Sequence, residues 1–175
     1  MASGELVYTG IERTPLAALV RSLQLAGRRR PLAAEAYASS QDAWLLLGGI
    51  PENADSADTL DGRPATREGA RVRLAHQALL EPSEVSLDDA RRAAERPAAV
   101  QERLVAGAIR RVVARAGRSP ERVVVSGHGA ALADRALGRA GVVAPVIRLE
   151  ERIGGALSRA APAQALAMVA LGELP

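Results

Sequence analysis

The sequence predicts a helix-rich α/β protein with a small, incomplete mixed sheet. Residues 121–149, ERVVVSGHGAALADRALGRAGVVAPVIRL, combine strand-like and helix-like patterns around a glycine turn. Elsewhere apolar residues recur at helical spacing, and only about three segments are typical of strands. Apolar parallel strands need both faces and both edges covered. The low strand count therefore indicates part of an α/β domain whose sheet another segment or subunit completes.

The strand-turn-helix-strand unit is the most informative stretch. Residues 121–126 contain three consecutive valines, as expected of a strand that is buried on both faces. After a glycine turn, residues 130–140 predict a helix, and Gly141 suits its C-terminal cap because glycine adopts the left-handed conformation readily. Residues 142–149 predict a second strand, parallel to the first through a right-handed helix crossover.

The glycine turn supplies the candidate binding site. A turn that leads into a helix N-terminus leaves backbone N–H groups available for phosphate or a nucleotide. The predicted phosphate- or nucleotide-binding residues are Ser126, Gly127, His128 and Gly129.

Two other interpretations of this turn remain open. Gly127 and Gly129 begin a dinucleotide fingerprint and Glu150 lies where a ribose-binding acid belongs, but Leu132 replaces the third glycine. The turn can also be a plain strand-to-helix connection without a ligand. Ser126 does not lie in a G-x-S-x-G sequence, so a hydrolase nucleophile elbow is excluded.

The N-terminal third predicts a strand, a loop and a helix. Residues 5–9 form a short β-type run, and residues 11–20 form a turn followed by an apolar segment. Residues 27–30, GRRR, predict a basic loop that is either solvated or an anion clamp. Residues 32–47 predict a helix that starts after Pro31. Its apolar stripe comprises Ala33, Ala36, Tyr37, Ser40, Trp44 and Leu47, with Tyr37 and Trp44 either in the core or stacked on a substrate ring.

The middle of the chain predicts a loop and two helices. Residues 52–64 form an acidic loop whose aspartates recur every three residues, which is not the spacing of a calcium loop. Thr66 caps a helix over residues 67–80, where His76 fits packing better than metal binding. Ser86 begins a second helix that runs to about residue 95 and is broken or kinked by Pro97.

A third helical pattern, over residues 100–116, has a wide apolar face and ends at Gly117. Residues 150–155 contain a further glycine break. Residues 160–171 predict a closing helix. We expect its residues Ala165, Met168 and Val169, with Gly172 after it, to pack against the sheet.

The composition excludes several classes of protein. The 175 residues are 48% hydrophobic, which suits one domain with a core and excludes a disordered chain. The chain has neither Cys nor Lys, so it has no thiolate metal site, no thiol nucleophile and no P-loop. We find no residue set with metal-ligand spacing.

Charge and hydropathy limit the classes of partner that the sequence predicts. The net charge is +3. The calculated pI of 10.4 reflects a scarcity of groups that titrate near neutral pH and not a nucleic-acid-binding surface. The chain has neither a signal peptide nor an apolar stretch of the ~20 residues that span a membrane. We therefore expect a cytoplasmic protein that binds neither nucleic acid nor membranes.

Five blocks of the chain resemble the C-terminal half of hydantoinase/oxoprolinase-like proteins. They are ELVYTGIERTPL (5–16), EAYASSQD (35–42), TLDG (59–62), RLA (73–75) and SGHG (126–129). The branch most similar is linked to tetrahydromethanopterin-dependent one-carbon transfer and includes the methanofuran-biosynthesis synthase that joins an aminomethylfuran diphosphate to glutamyl-tyramine. The order and spacing of the blocks agree along nearly the whole chain.

The resemblance implies a ribonuclease-H-like lobe of an actin-like fold with a nucleotide or diphosphate cleft. Residues 1–175 would form one C-terminal lobe, with a helical insertion at about 31–117 and a core at 121–149. Residues 126–129 would correspond to the glycine loop beside the nucleoside. The other blocks would line the cleft, which gives four candidate substrate-binding residues: Tyr8, Arg13, Glu35 and Asp61. Two alternatives stay open, namely that Arg13 pairs with Glu12 or Glu35 and that Asp61 simply makes a turn.

Two acidic-glycine phosphate motifs of the family would lie upstream of Met1. The resemblance therefore implies the C-terminal half of a split or truncated member, which would be inactive alone and would assemble with a separate N-terminal half or with itself. In the complete enzyme it implies a transferase that uses a small-molecule diphosphate, with Mg²⁺ and a diphosphate or ATP in the site. The alternatives are an ATP-dependent hydantoinase/oxoprolinase-type hydrolase lobe and a non-catalytic fragment that docks on a partner.

Overall fold

The computed structural model describes residues 6–172, which form a helix-rich α/β chain with two small sheets. The α/β class predicted from the sequence is thus confirmed. The first half contains α1 (Leu16–Leu19), β1 (Ser22–Leu25), β2 (Arg28–Pro31), α2 (Ser40–Leu46), α3 (Arg67–Gln77) and α4 (Leu87–Ala116). The second half contains β3 (Val123–Val125), α5 (Ala130–Ala140), β4 (Val146–Arg148), α6 (Leu149–Ile153), α7 (Gly155–Arg159) and α8 (Ala161–Ala170). β1 and β2 pair antiparallel, and β3 and β4 pair parallel, as predicted for the second pair.

The main core lies where α2, α3, β1 and the first half of α4 meet. Its largest buried members include Leu16, Leu23, Leu45, Leu74 and Val85. On α4 the side that faces them consists largely of alanines, and small side chains let the helices approach closely. A second cluster around Trp44, Ile11 and Leu132 continues the packing toward α5.

α4 is one continuous helix, so the predicted break near Pro97 is wrong. Proline removes the backbone N–H that would donate to the carbonyl of Ala93, one bond out of a helix of 30 residues. The ring of Pro97 is buried, and Ala94 and Ala98 beside it are also inaccessible to solvent. Tertiary packing on both sides therefore holds the helix together through the proline.

The predicted helix over residues 32–47 is wrong in its first half, because α2 begins only at Ser40. Gln77, fully buried on α3, accepts hydrogen bonds from the N–H groups of Tyr37 and Ala38 at 2.9 Å. Its amide donates to the carbonyls of Ala33 and Glu35 at 2.9 and 3.0 Å. These four bonds satisfy the backbone of residues 33–38 without helical pairing.

The aromatic residues of that segment separate. Trp44 lies in the core, as one of the two predictions for it stated, whereas the Tyr37 side chain is 45% exposed. Ser39 and Asp42 form a capping box that starts α2.

The basic loop predicted at residues 27–30 is instead the turn and second strand of a hairpin. Ala26 and Gly27 have φ angles of 49° and 71°. Two positive φ angles in sequence suit the tight turns that match the twist of paired strands. The Nε of Arg29 donates to the Ser22 hydroxyl across the hairpin at 2.9 Å, so part of this basic segment is structural.

Several predicted boundaries change. Residues 6–10 form no strand, and Glu5 lies outside the described residues. α3 ends at Gln77 and not at residue 80, and the second strand of the parallel pair shortens to β4. α6 occupies most of the predicted glycine break, and the break itself falls at Gly154.

Helix caps follow the prediction closely. The hydroxyls of Thr66 and Ser86 accept the N–H groups of Gly69 and Asp89 at 3.1 Å each. Gly117 and Gly141 end α4 and α5 with φ angles of 66° and 74°.

The parallel pair is more exposed than predicted. Val124 of β3 is 60% exposed, so the strand is not buried on both faces. An apolar groove of about 480 Å³ runs between β3, α5 and the second half of α4. Among the described residues of α8 no side chain is buried, which contradicts its predicted packing against the sheet. A second segment or subunit that completes this sheet stays a prediction, as does the division of the chain into an insertion and a core. No helix within residues 6–172 combines the length and apolar character of a membrane span.

Candidate functional site

A cleft of about 470 Å³ lies between the N-terminal arm (residues 6–15), the loop after α2 and the turn before α5. Its lining is mixed: Ile50 and Pro51 supply an apolar wall, and charged groups surround it. The charged and polar lining residues are Glu12, Gln41, Asn53, Ser56, Asp58, His128, Glu150 and Arg159. A cleft of this size suits a small organic molecule.

The cleft brings together two sequence blocks that lie far apart in the chain. The Nε2 of His128 lies 2.8 Å from Oε1 of Glu12. Both side chains are half-buried, with 37% of His128 and 28% of Glu12 exposed. The glycine turn therefore faces the N-terminal block across the cleft.

Backbone pairing fixes the position of Glu12. The hydroxyl of Ser39 donates to the carbonyl of Glu12 at 2.8 Å. The N–H of Ser40 donates to the carbonyl of Thr14 at 2.8 Å, and the Thr14 N–H donates to the Ser40 hydroxyl at 3.1 Å. The arm is thus held against the start of α2 on the side where Glu12 meets His128.

The position of His128, the other partner in this contact, is fixed through α5. Glu102 of α4 accepts from Nε of Arg139 at 2.5 Å and from Nε of Arg135 at 3.2 Å, both on α5. The Arg135 guanidinium also lies 5.5 Å from the centre of the Trp44 ring, within range of a cation–π interaction. These contacts anchor the helix that begins directly after the glycine turn.

The four residues of the glycine turn have different surroundings. Gly127 has a φ of 82°, a conformation that favours glycine, and its N–H donates to both the carbonyl and the hydroxyl of Ser158 at 3.1 and 2.9 Å. Its N–H is therefore engaged within the protein. Ser126 lines the apolar groove and not the cleft. Gly129 is the N-cap of α5, and no side chain in the described part of the protein caps that terminus.

The other predicted site residues are spread around the cleft. Arg13 lies 3.8 Å from Asp58 in an exposed ion pair, and not beside Glu12 or Glu35 as the alternative proposed. It lines a smaller pocket of about 230 Å³ that shares Glu12 and Asp58 with the cleft. Tyr8, 77% exposed, and Glu35, also exposed, are not among the residues that line either pocket.

Asp61 lies at the exposed edge of a charge cluster whose other members, Arg73 and Asp42, are buried. Oδ1 of Asp61 lies 3.0 Å from Nη1 of Arg73, and Nε of Arg73 lies 2.6 Å from Asp42. Burial alone would raise the pKa of Asp61, but hydrogen bonds from the Arg63 N–H and from Arg73 outweigh it, so the pKa lies below its usual range. Burial raises the pKa of Asp42 despite the neighbouring Arg73. The cluster ties the acidic loop to α3, which gives Asp61 a structural role beyond a simple turn.

Sequence reasoning missed three residues of the cleft: Glu12, Asp58 and Arg159. Glu12 lies inside the first block of resemblance, so its position was available but its pairing with His128 was not. Arg159 follows a glycine-rich stretch that has no recognisable motif. In residues 6–172 no group of three or more acidic or histidine side chains is arranged to hold a metal ion.

The amino-acid sequence is similar to that of two synthases from methanogens. No family model matches the chain. The chain is 25% identical over 176 residues to the (4-{4-[2-(gamma-L-glutamylamino)ethyl]phenoxymethyl}furan-2-yl)methanamine synthase of Methanococcus vannielii, and the match covers 99% of this chain and 78% of that protein. It is 32% identical over 74 residues to the synthase of the same name from Methanocaldococcus jannaschii, which covers 42% of this chain and 22% of that protein.

The similarity supports the synthase branch that the residues indicated. The match to the Methanococcus protein includes both partners of the Glu12–His128 contact, because it spans nearly the whole chain. The wider hydantoinase/oxoprolinase assignment and the actin-like fold stay predictions.

Proposed function

We propose that the chain acts in the biosynthesis of a methanofuran-type cofactor, within tetrahydromethanopterin-linked one-carbon metabolism. In this proposal it contributes to a transferase that joins a furan diphosphate to a phenol. The observation that carries the proposal is the similarity, along 99% of the chain, to a synthase whose product is named as a phenoxymethylfuran. That name describes an ether between a phenol oxygen and a furan methylene carbon.

Two features of the cleft support this proposal. Ile50 and Pro51 offer an apolar wall for an aromatic ring, and Arg159 places a positive charge in the same space. An arginine can bind the oxygens of a diphosphate leaving group through charge-assisted hydrogen bonds. A phenol and a furan diphosphate thus each find complementary groups in one cleft.

We further propose that the chain forms a lobe of a hydantoinase/oxoprolinase-like, actin-like fold. The parallel β3–α5–β4 unit with its glycine turn supports this proposal. Mg²⁺ would accompany the diphosphate or ATP in this scheme, and the active form would contain a separate N-terminal half or a second copy. Because residues 6–172 form no metal-holding group, we assign Mg²⁺ no ligand and no step.

The direct test is to incubate the chain, purified as its own oligomer or together with the N-terminal half it assembles with, with an aminomethylfuran diphosphate and glutamyl-tyramine. We expect formation of the ether, detected by mass spectrometry, together with one pyrophosphate for each ether. A reaction without the phenol is the control for simple hydrolysis of the diphosphate. Ring opening of a hydantoin or oxoproline with release of phosphate from ATP, in place of ether formation, would overturn the proposal in favour of a hydrolase lobe.

A ligand-binding experiment complements the activity assay. We expect pyrophosphate to raise the melting temperature of the chain if the cleft binds diphosphate, because a ligand that binds only the folded state stabilises it. Inorganic sulfate at the same ionic strength is the control. An equal effect of sulfate would show general anion stabilisation and would contradict a diphosphate site.

A further inference from the structure

We infer that His128 is the general base that takes the phenol proton and that Glu12 holds its imidazole in position. This inference rests on the function proposed above and adds to it the residues that activate the nucleophile. It begins from the 2.8 Å contact between Nε2 of His128 and the Glu12 carboxylate in the cleft.

The contact determines which tautomer the neutral imidazole of His128 adopts. A carboxylate accepts hydrogen bonds, so Nε2 of His128 must carry the proton that lies between the two groups. In the neutral ring Nδ1 is then the unprotonated nitrogen and the only one that can accept a proton. Glu12 thereby selects the tautomer and also stabilises the imidazolium that forms after proton transfer.

Other groups around the cleft are less suited to this task. A phenol has a pKa near 10. A carboxylate, whose conjugate acid is far stronger than a phenol, removes its proton poorly, whereas an imidazole is a better match at neutral pH. Asp58 is in addition paired with Arg13. The second histidine, His76, lies exposed on α3 and is not among the residues that line the cleft.

Both partners sit on elements that other contacts hold in place. The Glu12 carbonyl is bonded to Ser39, and α5, which follows His128, is anchored to α4 through Glu102. The pair therefore has its geometry before a substrate arrives. Preorganised positioning of this kind is what gives a base its catalytic effect.

The proposed step conserves atoms and electrons. The phenol oxygen forms a bond to the furan methylene carbon while the bond from that carbon to the diphosphate oxygen breaks. The bonding electron pair leaves with the diphosphate. The phenol proton moves to Nδ1 of His128 and passes from there to solvent after the ether has formed.

Kinetics of variants test the assignment. His128→Gln is expected to lower kcat about 100-fold or more with little change in KM, and to remove the rise of rate with pH that titration of a base produces. Glu12→Gln keeps the base but loses its positioning charge, so we expect about a 10-fold loss and a displaced pH profile. His76→Gln is the matched control and should leave the rate and the profile unchanged.

A spectroscopic measurement tests the geometry without a substrate. The chain has two histidines, so their ¹⁵N resonances can be assigned with His76→Gln. We expect His128 to populate the Nε2–H tautomer when neutral, and Glu12→Gln to change the populations of its two neutral tautomers but not those of His76. A neutral His128 with its proton on Nδ1 would overturn the inference.

The outcomes separate the two proposals. Ether formation at the wild-type rate by His128→Gln would overturn the base assignment and leave the proposed function standing. Absence of ether formation by the wild-type assembly would overturn the proposed function and the base assignment with it. If His128→Gln does not fold, as judged by its melting curve, His128→Ala with added imidazole replaces it. We expect the imidazole to restore part of the rate, and no rescue in a folded variant counts against the assignment.

Discussion

Glu102 of the long helix α4 links that helix to α5. It is 8% exposed and accepts hydrogen bonds from Arg135 and Arg139 of α5. Burial alone would raise the pKa of Glu102, but the bonds and charges of the two arginines outweigh it, so the pKa lies below its usual range. The ionised carboxylate is thus favoured in the folded protein, where it joins two helices.

This pKa shift predicts an acid-sensitive contribution to stability. Because the folded-state pKa is depressed, the contribution is complete above the ordinary value of 4.5 and is lost as the pH falls through the folded-state pKa. Glu102→Gln is therefore expected to lower the free energy of unfolding by about 1–2 kcal/mol at pH 7, with a smaller difference in acid. Urea denaturation between pH 7 and pH 3 measures both quantities.

Glu121→Gln is the matched control, because the pair that Glu121 forms with Arg118 is exposed. Exposed pairs contribute little to stability, so this substitution should have almost no effect at any pH. A loss for Glu102→Gln that stays constant from pH 7 to pH 3 would contradict the electrostatic origin of the effect.

The predictability of single residues differed according to the range of their interactions. Thr66, Ser86, Gly117 and Gly141 were predicted correctly because a cap depends on neighbours within one helical turn. The pairing of Arg13 with Asp58 was missed, since two exposed side chains 45 residues apart leave no local pattern.

At the scale of secondary-structure elements, two glycines that resemble each other in sequence are used differently. A Cβ added at Gly49, in the loop after α2, would overlap the ring of Trp44. A Cβ added at Gly138, within α5, would meet nothing within 4 Å. The first glycine permits close packing and the second only weakens a helix.

Substitution by alanine is expected to change the free energy of unfolding in opposite directions at these two glycines. Gly49→Ala is expected to lower the free energy of unfolding by about 1–3 kcal/mol, because overpacking displaces the buried indole. Gly138→Ala is expected to raise it by about 0.5–1 kcal/mol, because alanine favours the helix. Urea denaturation of the two variants beside the wild type measures both shifts. Equal shifts of the same sign would contradict the packing described for Trp44.

The predicted element boundaries were wrong where contacts with distant residues determined the backbone conformation. Residues 32–39 contain helix formers, yet the buried amide of Gln77 binds their backbone groups in a non-helical conformation. Pro97 is a helix breaker by itself, yet packing carries α4 through it. The GRRR segment is loop-like in composition, yet Ala26 and Gly27 turn it into a hairpin strand.

For the whole molecule, Gln101 joins the N-terminal arm to the helices. Its Oε1 accepts the indole N–H of Trp44 at 2.8 Å. Its Nε2 donates to the Thr9 hydroxyl at 2.8 Å and to the Gly10 carbonyl at 2.7 Å. One fully buried amide thus connects the arm that carries Glu12, the helix α2 and the helix α4.

Gln101→Leu should loosen this connection. Leucine leaves the indole N–H and the Gly10 carbonyl without these partners, and each such loss costs about 1–3 kcal/mol. We expect a decrease of about 2–3 kcal/mol in the free energy of unfolding and faster amide exchange around residues 9–14. Fluorescence of the single tryptophan and hydrogen-exchange mass spectrometry measure the two effects. Gln24→Leu, on the exposed side of β1, is the control, and equal exchange in both variants would contradict the role of Gln101.

The sequence by itself determined the α/β class, the caps of the longer helices, the β3–α5–β4 unit and the glycine turn. Each follows from spacing within a few residues, where side-chain periodicity and backbone propensity decide the conformation. Tertiary structure alone decided that Glu12 meets His128 across 116 positions of sequence, that Gln77 binds the backbone of residues 33–38, and that the N–H of Gly127 is donated to Ser158. These contacts depend on the packing of several elements at once, and no local pattern encodes which distant partner satisfies a buried polar group.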